Sequence, residues 1–343
     1  EQRAARERVA IVDYSMLGKI SVEGVGAEAF LQRVCTNNMA MACGRIAYTL
    51  LLNERGGIES DVTVARYAND RYMVMSSIAR TRRDYLWLAS LIEPDEQVRL
   101  RDETASLGVL GVMGPQSRAL MAAVTELDVS NEAFPFNRFY DCHIGHAKVT
   151  AQRLSYSGEL GWEIMVTPDF ADHVLDVLLS AGAPLGVKLL GSEALNALRI
   201  EKGFLHWGHD MAYTESPHQV GLDFTCKTEK SPAFIGREAY LRRKAEATGP
   251  YLCAVRLKDS APLMHHNEPV LRDGQVVGYV TSGAFSAHFQ CAVGLCFIDL
   301  PADAQSKAAI ALGEYTVMIE GEPIAAEVSV QSFYDPLNER MLS

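Results

Sequence analysis

The sequence lacks the paired cysteines of a structural metal site or a disulfide scaffold. Its seven cysteines are scattered over 343 residues, and no two form a Cys-x-x-Cys pair. Small disulfide scaffolds and zinc knuckles hold their cysteines at short, regular spacings, so the pattern excludes both. It indicates a reducing compartment, either the cytoplasm or, in a eukaryote, the mitochondrial matrix.

An excess of positive charge and a long apolar run are also missing. Lys and Arg total 32 against 43 Asp and Glu, a formal net charge of −11. Such a chain offers no basic field to offset phosphate charge, so we expect no nucleic-acid partner and no membrane partner. No apolar run reaches the roughly 20 residues of a membrane span, and the N-terminus does not resemble a signal peptide. The chain begins with Glu1 and not with Met, so we expect a fragment, a processed chain or part of a longer one.

Several catalytic motifs are absent. The sequence has no Gly-x-Ser-x-Gly elbow and no P-loop, which weighs against hydrolase and phosphoryl-transfer functions. The segment Gly24–Ala29 imitates a dinucleotide fingerprint, but no acidic residue closes a second strand about twenty residues later, so we interpret it as a turn. His206 and His209 stand beside Asp210, but no third ligand follows at a workable spacing, and no metal site is predicted.

Strand-like and helical segments follow one another irregularly, which favours an α+β fold. The first part of the chain mixes predicted strands such as Val62 to Tyr67 with predicted helices such as Ala27 to Cys35. Beyond residue 250, short alternating segments predict strands at 252–257, 269–272, 276–281, 292–297, 308–311, 315–319 and 324–329. Close spacing between turn residues is typical of an antiparallel barrel or sandwich. We therefore expect two regions, residues 1–245 and a C-terminal β domain of residues 246–343.

The segment Arg153–Ile164 concentrates aromatic and acidic side chains around a tight turn. Two strand-like runs flank this turn, so Trp162 and Ile164 share one strand face and Glu163 points to the other. A carboxylate fixed on a strand beside aromatic rings suits a planar heterocycle with adjacent N–H donors, such as a pteridine. The alternative is an ordinary hairpin in which Glu163 faces water.

Asp61 and Arg199 are two further candidates. Asp61 begins a predicted strand directly after Gly56–Ser60, a segment that opens with a glycine pair. There backbone could approach a ligand closely, and the carboxylate could accept a proton. It could equally cap a turn. Arg199 lies near the end of an apolar helix and could clamp a carboxylate with two parallel hydrogen bonds. Alternatively, it pairs with Glu201 or another acidic neighbour on the surface.

Six segments, taken in order, resemble the folate-dependent aminomethyltransferase family of the glycine cleavage T-protein. They are Asp13–Ile20, Tyr48–Asp61, Tyr156–Ile164, Leu198–Gly203, Phe234–Ala239 and Gly278–Gly283. The resemblance extends from about residue 4 to residue 335. The residues of the segments Gly158–Glu163 and Trp207–Asp210 are most similar to those in the folate half of dimethylglycine and sarcosine dehydrogenases and oxidases. It implies a three-lobed cloverleaf fold with folate in a central channel, followed by a β-barrel.

The resemblance also implies roles for individual residues. The family's catalytic aspartate falls on Asp61, its pteridine-binding glutamate on Glu163, and the arginine that meets the folate tail on Arg199. The remaining expected tetrahydrofolate contacts are Tyr48, Tyr156, Ser77, Trp207 and Phe224. Ser77 stands where the family usually has Asn. Phe224 stands where the family often has Tyr, and it lacks that hydroxyl.

The implied reaction moves a one-carbon unit from the iminium of an N-methylated amine to tetrahydrofolate, giving 5,10-methylenetetrahydrofolate and the demethylated amine. A flavin oxidoreductase, fused or separate, would produce that iminium. One alternative is a demethylase that passes a methyl group directly from an N-, S- or O-methyl donor to folate. Another is a folate-binding regulatory protein without catalytic activity. The residues point to folate more strongly than they point to one donor.

Overall fold

The structure is a computed structural model that describes residues 1–246, 249–300 and 307–343. In chain order its strands are β1 (Ala10–Asp13), β2 (Gly18–Glu23), β3 (Ile46–Leu52), β4 (Ile58–Ala68), β5 (Arg71–Ser76), β6 (Arg99–Asp102), β7 (Gly108–Met113), β8 (Phe139–Ile144), β9 (Ala147–Gln152), β10 (Gly161–Val166), β11 (Lys188–Leu189), β12 (Tyr251–Leu257), β13 (Pro269–Arg272), β14 (Gln275–Ser286), β15 (Cys291–Ile298), β16 (Tyr315–Ile319) and β17 (Glu322–Ser329).

The helices lie between these strands and at the chain ends. They are α1 (Gln2–Glu7), α2 (Ala27–Val34), α3 (Thr81–Ser90), α4 (Ser117–Val124), α5 (Pro168–Gly182), α6 (Ser192–Lys202), α7 (Arg237–Glu246), α8 (Lys307–Ile310) and α9 (Glu339–Leu342), with 3₁₀ turns at Thr104–Ser106, Ala183–Leu185 and Asp223–Thr225. None of the helices in the described ranges is long and apolar enough to cross a bilayer.

Two open sheets face each other in the first part of the chain. One has the strand order β3-β4-β5-β2-β6, and the other β11-β1-β7-β10-β9-β8. Helices α2 and α3 cover the outer face of the first sheet, and α4 and α5 cover that of the second. The inner faces share a core that also takes side chains from α1 and α6. The candidate carboxylates lie on strands of these two sheets.

Alternating residues of strand β10 pack into two different hydrophobic cores, one on each face of the sheet. Trp162, Ile164 and Val166 belong to the core beneath α4 and α5. Met165, which alternates with them, belongs to the core between the sheets. Because strand side chains alternate faces, Glu163 points to the inner side with Met165, as its position predicts.

The C-terminal region is a closed antiparallel barrel of strands β12-β15-β14-β13-β16-β17. The α+β class and this barrel are confirmed. The strand predicted at 308–311 is wrong, since Lys307–Ile310 forms the short helix α8. Its two adjacent alanines, Ala308 and Ala309, are strong helix formers, which explains the difference. Helix α6 packs on β14 and β15 and joins the barrel to the two-sheet region.

Candidate functional site

The Asp61 side chain lies near the beginning of β4, beside β3. The hydroxyl of Tyr48, on β3, donates a hydrogen bond to Asp61 Oδ2 at 3.0 Å. Burial raises the pKa of Asp61 to about 6, although the bond from Tyr48 opposes the shift. The position inside a strand excludes the interpretation of Asp61 as a turn cap. A carboxyl group that titrates close to neutral pH is suited to accepting a proton.

The glycine pair before Asp61 is packed against the protein's own backbone. A Cβ atom on Gly57 would lie 1.8 Å from the carbonyl oxygen of Tyr213, and one on Gly56 would lie 2.8 Å from the backbone nitrogen of Tyr240. The expectation that this turn leaves room for a ligand is therefore wrong. The glycines instead let β4 approach the segment around Tyr213 and helix α7.

Glu163 is buried and has no polar partner. Its side chain is 8 % exposed, and no hydrogen bond or ion pair joins it to another described residue. Burial raises the pKa of Glu163 to about 7. The alternative of a hairpin glutamate facing water is wrong. Because an unpaired buried carboxylate is costly, a ligand with N–H donors would satisfy it.

Tyr14 fills the space beside Glu163. Glu163 pairs with Gly111 on β7, and a Cβ atom on Gly111 would lie 2.6 Å from the Tyr14 ring. The Tyr14 hydroxyl is buried without a hydrogen-bond partner. Burial raises its pKa, and the charge of Glu163 raises it further. Sequence reasoning missed Tyr14, and its only signal was its place in the Asp13–Ile20 segment.

Tyr156 lies between the surroundings of Asp61 and the residues that follow helix α6. Its hydroxyl donates to the carbonyl of Leu205 at 3.1 Å, and its ring stacks on Phe204 with centroids 6.2 Å apart. Burial raises the pKa of Tyr156, and the charges of Arg199 and Asp61 both act on it. The structure thus brings Tyr48, Asp61 and Tyr156 within electrostatic reach of one another.

Arg199 is buried at 2 % exposure and bonded within the protein. Its guanidinium donates to Asp210 Oδ2 at 2.5 Å and to Ser282 Oγ at 2.8 Å. The other bonds go to Asn196 Oδ1 at 2.9 Å and the Phe204 carbonyl at 3.1 Å. Four of its five N–H donors are therefore used, and a two-bond clamp on a ligand carboxylate is excluded. The surface pairing with Glu201 is also wrong, because the partner is the buried Asp210.

Asp210 was weighed from the sequence only as a neighbour of His206 and His209. Besides Arg199, its carboxylate accepts from Thr281 Oγ1 at 2.6 Å, Ser282 Oγ at 2.8 Å and the His206 backbone at 2.9 Å. Its oxygens are thus used in joining α6 to the barrel strand β14. Among the described residues, no group of three or more His, Cys, Asp and Glu side chains could hold a metal ion.

The other three candidates, Phe224, Ser77 and Trp207, lie close to strands β3, β5 and β4, respectively. Phe224 is 62 % exposed, with its ring centroid 6.5 Å from that of Tyr48. Ser77 directly follows β5, and its carbonyl accepts from the backbone of Thr81 at 3.1 Å. The Trp207 indole donates to the carbonyl of Ile58 at 2.9 Å. Trp207 therefore uses its polar edge on the protein, and only the ring face that Arg80 does not cover remains for a ligand.

Two clefts open elsewhere on the described surface. One of about 210 Å³ is lined by Arg6 and Arg340, and one of about 630 Å³ lies between α1, α6 and β14. Neither is lined by any of the candidate residues. Asp61 and Glu163 are therefore distinguished by their raised pKa values, and Glu163 also by its unpaired carboxylate, and neither lies in one of these two clefts.

Comparison with known proteins identifies the two halves of the chain separately. Residues 1–230 match the model of the GCVT N-terminal domain, and residues 251–335 match that of the glycine cleavage T-protein C-terminal barrel domain. A 4-methylaminobutanoate oxidase (formaldehyde-forming) of Paenarthrobacter nicotinovorans is 35 % identical over 99 % of the chain and 40 % of its own length. The mitochondrial sarcosine dehydrogenase of Homo sapiens is 31 % identical over 98 % of the chain and 38 % of its own length. The chain therefore spans about two fifths of these two relatives.

A solved structure has the same fold. The glycine cleavage system aminomethyltransferase T from Bartonella henselae superposes with a TM-score of 0.84 at 23 % identity, covering 98 % of this chain and 89 % of that one. This similarity confirms the expected three-lobed architecture with its terminal barrel.

Proposed function

Because the chain belongs to the glycine cleavage T-protein family, we propose that it transfers a one-carbon unit to tetrahydrofolate. The observation that carries the proposal is the Glu163 side chain, a buried carboxylate without a partner among the residues described. A reduced pteridine presents adjacent N–H donors, and two parallel bonds to one carboxylate would fix the ring. The unpaired Tyr14 hydroxyl beside it is a second polar group that such a ring could satisfy.

The remaining candidates are proposed as the walls of this pteridine site. Tyr48, Tyr156 and Phe224 supply aromatic surface, and Trp207 supplies a ring face. Ser77 is proposed to contact the ligand at the end of β5. Arg199 retains one Nη2–H without an acceptor among the described residues, so we propose a single hydrogen bond from it to the folate tail.

Asp61 is proposed as the general base. When bound, tetrahydrofolate supplies the nitrogen nucleophiles and leaves as 5,10-methylenetetrahydrofolate. Asp61, with its pKa of about 6, is largely ionised at neutral pH and can accept a proton from the attacking nitrogen. Its bond from Tyr48 holds one carboxylate oxygen in place. Positioned proton transfer of this kind contributes about 10²- to 10⁴-fold to a rate.

For the donor, we propose the iminium of an N-methylated amine. The names of the two relatives, an oxidase of 4-methylaminobutanoate and a dehydrogenase of sarcosine, describe oxidation of N-methyl groups. Such oxidation yields an N-methylene iminium, whose carbon joins the two folate nitrogens while the amine and one proton are released. We further propose a flavin oxidoreductase, fused or separate, as the partner that makes it.

Calorimetry with tetrahydrofolate tests the proposal first. We expect the wild-type protein to bind, and Glu163→Gln to raise the dissociation constant about 10- to 100-fold, because a charge-assisted pair is replaced by a neutral one. Asp61→Asn should bind within about threefold of wild type and lose about 10²- to 10⁴-fold in turnover. Equal affinity of wild type and Glu163→Gln would contradict the assignment of the pteridine site.

Product analysis then identifies the reaction. The protein is mixed with tetrahydrofolate, sarcosine and an amine-oxidising flavoenzyme, and folate products are separated by chromatography. A reaction without the protein measures the uncatalysed condensation of released formaldehyde with tetrahydrofolate. Methylenetetrahydrofolate formed faster than this background supports the proposal, and 5-methyltetrahydrofolate would instead indicate direct methyl transfer. Binding without any acceleration would favour the regulatory alternative.

A further inference from the structure

The first residues of β4 extend beyond their neighbour β5. Pairing between the two strands begins only at Thr63 with Met75. Backbone groups of Ile58–Asp61 on that side therefore have no strand partner, although buried backbone groups need one. The Ile58 N–H donates to the backbone carbonyl of Glu215 at 3.0 Å, and side chains from distant parts of the chain donate to the carbonyls of Ile58 and Glu59.

Trp207 and Arg80 hold the first two of these residues. The Trp207 indole donates to the carbonyl of Ile58 at 2.9 Å, and Arg80 Nη2 donates to the carbonyl of Glu59 at 2.6 Å. The two side chains also hold each other, since the Arg80 guanidinium carbon lies 3.5 Å from the centroid of the Trp207 ring. This stacking fixes both donors relative to the strand.

Asp84 holds the next residue. Its Oδ2 accepts from Ser60 Oγ at 2.7 Å and from Ser76 Oγ at 2.5 Å, joining β4 to the end of β5. Asp84 is fully buried, and Arg80 lies 3.7 Å from its other oxygen. Because successive strand residues point to opposite faces, Ser60 faces Asp84 while Asp61 faces the candidate site.

We propose that Arg80, Asp84 and Trp207 form a clamp that positions Asp61 for proton transfer, acting through the β4 backbone and Ser60. The proposal rests on the proposed function for the identity of the proton transfer. In this proposal Arg80, Asp84 and Trp207 are positioning residues: they contact β4 from behind and do not contact the folate through these groups. The polar edge of Trp207 thereby serves the strand and not the folate.

The clamp also sets the charges around Asp61. Tyr48 from β3, Tyr156 from the loop before β10, and Arg80 and Asp84 from the start of α3 are the titratable groups that act on it. Burial dominates, the Asp84 charge raises the pKa of Asp61, and the Arg80 charge lowers it. Removing the two clamp charges should therefore change the titration of Asp61 in opposite directions.

Turnover measurements test positioning. Arg80→Met and Asp84→Asn should each lower kcat about 10- to 100-fold while the KM for tetrahydrofolate changes less than about threefold, since small misplacements of a catalytic group have effects of this size. Trp207→Phe should lower kcat similarly and should also raise KM, because it shortens the ring face proposed for folate. In an Asp61→Asn background the same three changes should have almost no further effect on kcat, because they act through Asp61. If each change lowered kcat by the same factor in Asp61→Asn as in the wild-type protein, the clamp would be contradicted. Arg80→Met removes the charge and the bond to Glu59 but keeps an unbranched side chain, so it tests the idea even if Asp84→Asn does not fold.

Titration of Asp61 in the ligand-free protein tests the clamp independently of turnover. Side-chain carboxyl ¹³C NMR, with Asp61→Asn to assign the resonance, should show a higher pKa in Arg80→Met and a lower one in Asp84→Asn. Arg82→Met removes an exposed charge from the same helix and should leave the pKa unchanged. Shifts in the same direction, or none, would contradict the proposal. Opposite pKa shifts in the two variants, together with no folate binding by the wild-type protein, would support the clamp and refute the proposed function.

Discussion

Glu163 is a buried acid and Asp61 a half-buried one, and the two differ in their partners. Asp61 receives a hydrogen bond from Tyr48, whereas Glu163 receives none among the described residues. Burial raises the pKa of both groups, and the unpaired one reaches the higher value, about 7 against about 6. Natural binding sites often retain such unsatisfied groups at a cost in stability. Glu163 fits this description better than any structural role the fold offers.

The cost of burying Glu163 should be measurable as a pH-dependent stability. The pKa of Glu163 is about 7 when folded against an ordinary 4.5, so its contribution to stability is complete below about pH 4.5 and is lost as the pH rises through 7. Glu163→Gln cannot ionise, so its free energy of unfolding relative to wild type should increase by about 2 to 3 kcal/mol between pH 5 and pH 8. Urea denaturation at both pH values measures this. Glu54→Gln makes the same chemical change at an exposed site and should show no such trend.

At the scale of elements, helix α6 joins the two-sheet region to the barrel. It ends at Lys202, and the next residue, Gly203, has a φ of 74°, in the left-handed region that glycine tolerates. The chain then turns back so that Asp210 meets Arg199 of the helix and Thr281 and Ser282 of β14. The junction thus depends on a buried ion pair with additional hydroxyl donors. A pair of this kind is sensitive to loss of one partner.

Asp210→Asn should therefore destabilise the protein strongly. The change leaves the buried Arg199 guanidinium without its counter-charge, a loss typically of about 3 to 5 kcal/mol in free energy of unfolding. Glu327→Gln breaks the exposed pair with Arg256 in the barrel and should change stability by less than about 1 kcal/mol. Denaturant titration of both variants provides the comparison. Equal effects would show that the junction contributes no more than a surface pair.

At the scale of the whole molecule, the two ends of the chain meet at one loop. Arg6 of α1 donates to Glu159 at 2.9 Å and to Glu201 at 2.6 Å. Tyr334, near the C-terminus, donates its hydroxyl to the same Glu159 and lies against the Arg6 guanidinium, 3.8 Å from its ring centroid. The loop before β10 is therefore held from both ends of the described chain. This arrangement fixes the strand that carries Glu163.

Arg6→Met should release the C-terminal segment. Without Arg6, Glu159 and Glu201 lose a buried counter-charge, and the contacts that hold Tyr334 weaken. We expect limited trypsin digestion, followed by mass spectrometry, to cleave after Arg340 faster in this variant than in wild type. Arg3→Met, which removes an exposed arginine from the same helix, is the control. Unchanged cleavage would indicate that other contacts suffice to hold the segment.

The sequence by itself determined the features that depend on local periodicity and on order along the chain. Alternation in β10 fixed the face of Glu163, because strand side chains repeat every two residues. Short strands between turn residues predicted the barrel, and six ordered segments indicated the family. One of its errors was local as well, the strand predicted at 308–311.

Only the tertiary structure decided which partners the functional side chains have. Arg199 has Asp210 and not Glu201, Glu163 has none among the described residues, and Ser60, next to Asp61, donates to Asp84. These facts depend on contacts between segments far apart in sequence, such as Trp207 with Ile58. Burial and hydrogen-bond satisfaction are properties of such packing, which local periodicity does not encode.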